Sequence, residues 1–129
     1  MQIHHIGYLV KKIDRAIFAF EQLGWVIECN TVYDAYRAID ICFMIKDGYR
    51  VELVSPKRKD SVVYELQKKC GNSPYHICYM CDNLAEKCEE LCGRGYVKYD
   101  EPREAVAFSN KRVCFLIHPY LGMIELLEE

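Results

Sequence analysis

The sequence predicts an α+β protein made of two βαβββ modules in a pseudo-twofold arrangement, whose curved sheets turn inward to form one cleft. Two observations predict it. First, the chain repeats itself. At a constant offset of 71, His5 falls on His76, Ile6 on Ile77, Tyr8 on Tyr79, Ile13 on Leu84, Phe20 on Leu91, Gly24 on Gly95 and Trp25 on Tyr96. Second, each half closes on a matching strand that carries one glutamate, Val51-Glu52-Leu53-Val54 and Ile124-Glu125-Leu126-Leu127. The histidine-to-glutamate separations are 47 residues in the first half and 49 in the second.

Each element follows from local pattern. Residues 3–10 alternate as a strand. Ile13, Ile17, Phe20 and Leu23 give helical spacing, and Gly24 stops the helix. Residues 26–33 and 37–46 read as strands, and Asp47-Gly48 makes a tight turn because both residues tolerate positive φ. Residues 49–54 close the first module before Pro56. A connecting helix is predicted over 60–70, with Asp60 or Ser61 as its N-cap and Gly71-Asn72 beyond its end. The order then repeats. It gives a strand at 75–81, a helix at 83–93 capped by Asp82 or Asn83, and a short strand near 96–99. A loop through Glu101-Pro102 follows, then strands at 111–118 and 122–127. One domain over 1–129 is expected, with module one at 1–56, the linker helix at 57–73 and module two at 74–129.

Composition narrows the function. The chain is 51% hydrophobic and 28% charged, and its net charge of −2 lacks the basic footprint of a nucleic-acid binder. No apolar run is long enough to span a bilayer. Met1-Gln2-Ile3-His4-His5 has neither the charged nor the apolar region of an export signal, so a cytoplasmic location with reduced thiols is expected. That bears on the eight cysteines. A zinc site from Cys78, Cys81, Cys88 and Cys92 is the alternative. It is disfavoured because positions three apart on a strand face opposite sides. Cysteine as a small buried hydrophobe is the expectation.

Strand alternation assigns faces. Ile6, Tyr8 and Val10 should pack beneath the first helix, leaving His5, Gly7 and Leu9 on the other face. Val51, Leu53, Ile124 and Leu126 are assigned to the helix side, which puts Glu52 and Glu125 opposite. Ile39, Ile41, Phe43 and Ile45 are expected on the helix side of their strand, as are Val113, Phe115 and Ile117 on theirs. His5, Glu52, His76 and Glu125 then share the inner face, where an uncompensated carboxylate would be costly. Two imidazoles and two carboxylates suit one divalent ion per site, with Ni²⁺ or Co²⁺ favoured and Zn²⁺, Mn²⁺ and Fe²⁺ compatible. Such an ion polarises a carbonyl beside a C–H bond, and a neighbouring carboxylate takes the proton. Asp40 and Arg112 are secondary candidates on the same expected face. Asp40 would be a second base and Arg112 would hold a substrate carboxylate or thioester tail, unless the two simply pair with each other. His4 falls on the helix side as a packed or hydrogen-bonded edge. His118 falls on the cleft side as a structural turn residue, and Lys57-Arg58-Lys59 reads as a solvated loop.

The motifs His4-His5-Ile6-Gly7, Val51-Glu52-Leu53-Val54-Ser55-Pro56, Tyr75-His76-Ile77-Cys78-Tyr79 and Ile124-Glu125-Leu126-Leu127 resemble the vicinal oxygen chelate superfamily over essentially the whole chain. That superfamily includes glyoxalase I, methylmalonyl-CoA epimerase, extradiol dioxygenases and the bleomycin and fosfomycin resistance proteins. The resemblance implies paired βαβββ modules with metal ligands on the first and last strand of each. The His/Glu/His/Glu set is similar to that of glyoxalase I (lactoylglutathione lyase), which implies a metal-dependent isomerase or lyase with Glu125 as base and Glu52 as its symmetric counterpart. The helix-bearing linker and the Tyr-His-Ile-Cys strand look like methylmalonyl-CoA epimerases, the alternative reading. A non-catalytic ligand-sequestering protein is a third reading, which the four donors argue against. His118-Pro119-Tyr120-Leu121-Gly122 departs from the Asp-Pro-Asp-Gly pattern of larger glyoxalase I enzymes. The implied partners are a small-molecule thioester or thiohemiacetal and a second copy of the chain in a homodimer.

Overall fold

A computed structural model describes residues 1–129. The elements run β1 (Gln2–Leu9), α1 (Ile13–Gln22), β2 (Val26–Asp34), β3 (Ile39–Lys46), β4 (Tyr49–Pro56), α2 (Tyr64–Cys70), β5 (Ser73–Cys81) and α3 (Leu84–Cys92). They continue with β6 (Val97–Lys98), β7 (Arg103–Ala105), a 3-10 turn (Val106–Phe108), β8 (Lys111–His118) and β9 (Gly122–Glu128). This is the α+β order that the repeat predicts. The chain forms two compact units, one of Ile6–Pro74 and one of Met1–His5 with Tyr75–Glu129. The first five residues therefore leave their own repeat, and His5 travels with them to the unit that holds His76 and Glu125.

In the unit Ile6–Pro74 the strands lie in the order β2-β3-β4-β1, with β4 and β1 parallel. Helix α1 covers one face of this sheet. Ile13 and Ile17 pack on Val10, Cys42, Met44, Val51 and Leu53, with Tyr8, Phe20 and Trp25 at the border. Gly24 adopts φ +94°, a conformation that favours glycine, and it turns the chain so that Trp25 meets Phe20 edge to face. The Asp47-Gly48 turn has positive φ at both residues, as a two-residue hairpin requires. It pairs Lys46 with Tyr49 and, three steps on, Phe43 with Glu52.

That register corrects the face assigned to β3. Cys42 and Met44 lie under α1, so Ile41 and Phe43 lie on the opposite face. Alternation misled here because both faces of β3 are apolar and buried, which erases the period-2 signal. The connecting helix is also shorter than 60–70. It begins at Tyr64, with Val63 at the N-cap position and no side-chain cap, while Asp60 is held by Arg58 at 2.9 Å.

In the other unit, β5 and β9 run parallel and β8 pairs antiparallel with β9. Helix α3 starts where Asn83 accepts a hydrogen bond from the Glu86 backbone N–H at 3.1 Å, as the capping pattern predicts. Leu84 and Cys88 pack on Cys81, Cys114, Leu116, Ile124 and Leu126. The β8 assignment is therefore inverted as well, because Cys114 and Leu116 are helix-side. Val113 packs with Cys78, Ala105 and Leu127 on the other face, with Phe115 against them. Strand β7 and the 3-10 turn occupy residues that read as loop in the sequence, and both β6 and β7 pair with β8.

None of the eight cysteines forms a disulfide. Cys78 lies in a different cluster from Cys81 and Cys88, across the sheet. Burial pushes the Cys114 thiol up to about 12, with the Cys88 thiol beside it adding to the shift, so it behaves as an uncharged packing group. No helix is long and apolar enough to cross a membrane.

Leu116 is fully buried. The expected result of Leu116→Ala is a loss of about 2–5 kcal/mol in urea unfolding. Asn83→Ala, which removes only the α3 cap, is expected to cost about 1 kcal/mol.

Candidate metal centre

Three residues of one unit form the centre. β1 brings His5, β5 brings His76 and β9 brings Glu125. Ile124 and Leu126 are committed to the α3 side, so Glu125 emerges on the opposite face, diagonal to His76 in the β5–β9 register. All three side chains are buried, at 1%, 4% and 3% exposure. His5 Nε2 lies 3.1 Å from His76 Nε2. Glu125 Oε1 lies 3.2 Å from His5 Nε2 and 3.2 Å from His76 Nε2.

The walls are aromatic. The His5 ring stacks on Phe108 at 5.8 Å, and His76 meets the edges of Tyr75 at 4.4 Å and Phe115 at 5.3 Å. Stripping water from a carboxylate raises the energy of its charged form. Burial accordingly pulls the Glu125 carboxyl upward. The two adjacent imidazoles pull it down by more, and the balance lies well below the usual carboxylate range. Even so, Glu125 Oε1 makes no hydrogen bond of acceptable geometry. A buried, anionic oxygen without a hydrogen-bond donor is what a cation would satisfy.

The spacing also fits an ion. Two ligands bound at about 2.1 Å lie roughly 3.0–3.4 Å apart for octahedral to tetrahedral angles. The triangle of Nε2, Nε2 and Oε1 has edges of 3.1, 3.2 and 3.2 Å. The residues present therefore fit a divalent ion of the borderline class that accepts imidazole and carboxylate together.

Glu52 belongs to the other unit. It is buried at 4% exposure on β4, between Gly7 of β1 and Phe43 of β3 in register, on the face turned away from α1. Asp40 and Arg112 do not share the face of the glutamates, contrary to expectation. With Cys42 and Met44 helix-side, Asp40 is helix-side too, and its carboxylate sits 3.2 Å from Lys57 Nζ. Arg112 follows Cys114 and Leu116 to the helix side and is held by Glu128, whose Oε2 accepts from the Arg112 backbone N–H at 2.8 Å. His118 is likewise helix-side. It tilts on Tyr96 at 4.6 Å, and its Nδ1 accepts from the Tyr120 backbone N–H. Sequence reasoning missed Phe43 and Phe115, which sit directly across from Glu52 and Glu125. The two-residue Asp47-Gly48 turn alone could have placed Phe43, since it fixes every partner in the β3–β4 hairpin.

The sequence profile of the Glyoxalase/Bleomycin resistance protein/Dioxygenase superfamily matches residues 4–115, and the chain belongs to this superfamily. Among curated proteins, it is 23% identical over 116 residues to the uncharacterized protein YqjC of Bacillus subtilis, covering 89% of this chain and 81% of that one. Among solved structures, methylmalonyl-CoA epimerase from Mycobacterium tuberculosis has a TM-score of 0.83 at 24% identity, over 98% of this chain and 86% of that one. A Streptomyces coelicolor methylmalonyl-CoA epimerase variant in complex with 2-nitronate-propionyl-CoA has a TM-score of 0.84 at 24% identity, over 100% and 94%. A hypothetical protein from Bacillus halodurans has a TM-score of 0.85 at 22% identity, over 99% and 94%. These likenesses establish the fold of paired βαβββ modules.

Equilibrium dialysis against Co²⁺ is expected to give one ion per chain. Removing a donor should exceed the tenfold to hundredfold cost of losing an outer-shell partner, so His76→Ala and Glu125→Gln are each expected to weaken binding by more than about a hundredfold. Arg112→Ala should leave the titration unchanged. Undiminished binding by Glu125→Gln would remove Glu125 from the donor set.

Proposed function

We propose that this protein is a divalent-metal-dependent enzyme that moves a proton on the carbon next to a thioester carbonyl, of the methylmalonyl-CoA epimerase type. The observation that carries it is the buried triangle of His5 Nε2, His76 Nε2 and Glu125 Oε1. The fold likeness to methylmalonyl-CoA epimerases favours this reading over the glyoxalase I type that the ligand pattern first suggests.

Glu52 is proposed as the fourth ligand. It holds the position of Glu125 in the other repeat, and it is buried on a strand whose neighbours are apolar. Without it, the two histidines and one carboxylate would be the donor set of a non-haem iron oxygenase. Ni²⁺ or Co²⁺ is the favoured ion.

When bound, the ion supplies Lewis-acid stabilisation of the negative charge that develops on the carbonyl oxygen. The protein's own groups supply the rest. His5 and His76 fix the donor nitrogens, and the rings of Phe108, Phe115 and Tyr75 flank them. Inverting a carbon requires removing its proton on one face and returning one on the other. Two carboxylates related by the repeat provide that pair, with Glu125 held anionic by its neighbours and Glu52 as its counterpart. A ligand-sequestering protein would have no need of either. The cytoplasm as location and a homodimer as assembly complete the proposal, on family resemblance.

Incubation with methylmalonyl-CoA in deuterated water, followed by proton NMR, tests the reading. Wild type is expected to wash out the α-proton signal, and Glu125→Ala and Glu52→Ala to slow the loss by about 10²- to 10⁴-fold, the usual contribution of a positioned base. The methylglyoxal–glutathione hemithioacetal should turn over slowly or not at all. Turnover of the hemithioacetal with no exchange of methylmalonyl-CoA would reverse the assignment.

A further inference from the structure

The ring of His5 has two ends, and only one faces the donor triangle. Its Nε2 is 3.1 Å from His76 Nε2 and 3.2 Å from Glu125 Oε1. Its Nδ1 lies 2.8 Å from Nδ1 of His4, the preceding residue. The His4 ring is half-buried and stands edge-on to Phe108 at 5.5 Å, while the same Phe108 stacks on His5. Phe108 thus holds both imidazoles at once. The buried thiol of Cys78 has its Sγ within 4.8 Å of a ring nitrogen on each.

These three groups do not form a second ion site. Two nitrogens bound to one ion at about 2.1 Å would be roughly 3.0 Å apart or more, and 2.8 Å is shorter than that and typical of a hydrogen bond. A hydrogen bond between two nitrogens holds one proton, so one ring must donate and the other must accept. The direction is set by the chemistry at the other end of His5. For Nε2 to offer its lone pair to an ion, the His5 proton must sit on Nδ1. His4 Nδ1 must then accept, which puts the His4 proton on Nε2.

We propose that His4 is a positioning residue. By accepting from His5 Nδ1, it fixes the tautomer and ring orientation that make His5 Nε2 a ligand. The proposal rests on the metal-centre reading: the 2.8 Å contact is present without the ion, but the ion sets its direction, because in its absence His5 Nε2 can carry the proton and donate to Glu125 at 3.2 Å. Outer-shell partners of metal-bound imidazoles typically contribute tenfold to hundredfold to metal affinity.

The test separates hydrogen bonding from packing. His4→Phe keeps a ring against Phe108 but has no acceptor, whereas His4→Gln loses the ring and keeps an oxygen that can accept. Co²⁺ affinity is measured by competition with a fluorescent chelator, and the melting point of each metal-free variant is measured beside it. His4→Phe is expected to bind about ten- to a hundredfold more weakly, and His4→Gln to recover most of the loss. Metal-free melting points should not follow that order. His4→Phe binding as tightly as wild type, or His4→Gln no better than His4→Phe, would overturn the proposal. Long-range proton–nitrogen NMR of the wild type loaded with diamagnetic Zn²⁺ is expected to show the proton of His5 on Nδ1 and that of His4 on Nε2. The opposite tautomers also overturn it. If wild type bound no ion, the metal-centre reading itself would fall, whereas tight binding by wild type and His4→Phe alike would overturn the His4 proposal alone.

Discussion

A carboxylate that is 3% exposed and wedged between two imidazoles is the constraint around which this protein is organised. Burying such a charge costs several kcal/mol unless something opposite is brought to it. The chain brings His5 and His76 to 3.2 Å and still leaves Glu125 Oε1 without a well-formed hydrogen bond. Packing alone would favour an apolar residue in that place, as Ile124 and Leu126 are on either side. A glutamate there makes sense as half of a cation site.

The fold serves that constraint at the N-terminus. Met1–His5 joins the unit of the second repeat, so the histidine that opens the first repeat meets the histidine and glutamate of the second. Within each unit the two faces of the strands divide the labour. Helix-side residues, such as Leu53 in one unit and Leu126 in the other, build the two cores, while the opposite face carries the polar donors and their aromatic neighbours. Cysteine takes part mostly as filler, with Cys42, Cys88 and Cys114 all buried among apolar side chains.

Much of this is legible in the residues themselves. The 71-residue repeat gave the element order, Asn83 gave the start of α3, and the strands of Glu52 and Glu125 alternate cleanly enough to put both glutamates opposite the helices. The two inverted strands share one physical reason. In β3 and β8 both faces are apolar, so periodicity cannot tell inside from outside, and Asp40 and Arg112 were carried to the wrong face with their strands. Hairpin register was the better guide, since one turn fixes every cross-strand partner. The contact between His4 and His5 was illegible for a different cause. Neighbours on a strand nominally face opposite sides, yet here the two Nδ1 atoms lie 2.8 Å apart and Phe108 meets both rings.

The most direct measurement is a crystal structure of the chain soaked in Co²⁺, with anomalous differences collected at the cobalt edge. One strong peak is predicted, bonded at about 2.0–2.2 Å to His5 Nε2, His76 Nε2 and a carboxylate oxygen of Glu125. A peak among the cysteines instead, or no peak within the histidine–glutamate triangle at saturating cobalt, would contradict the metal centre and the chemistry assigned to it.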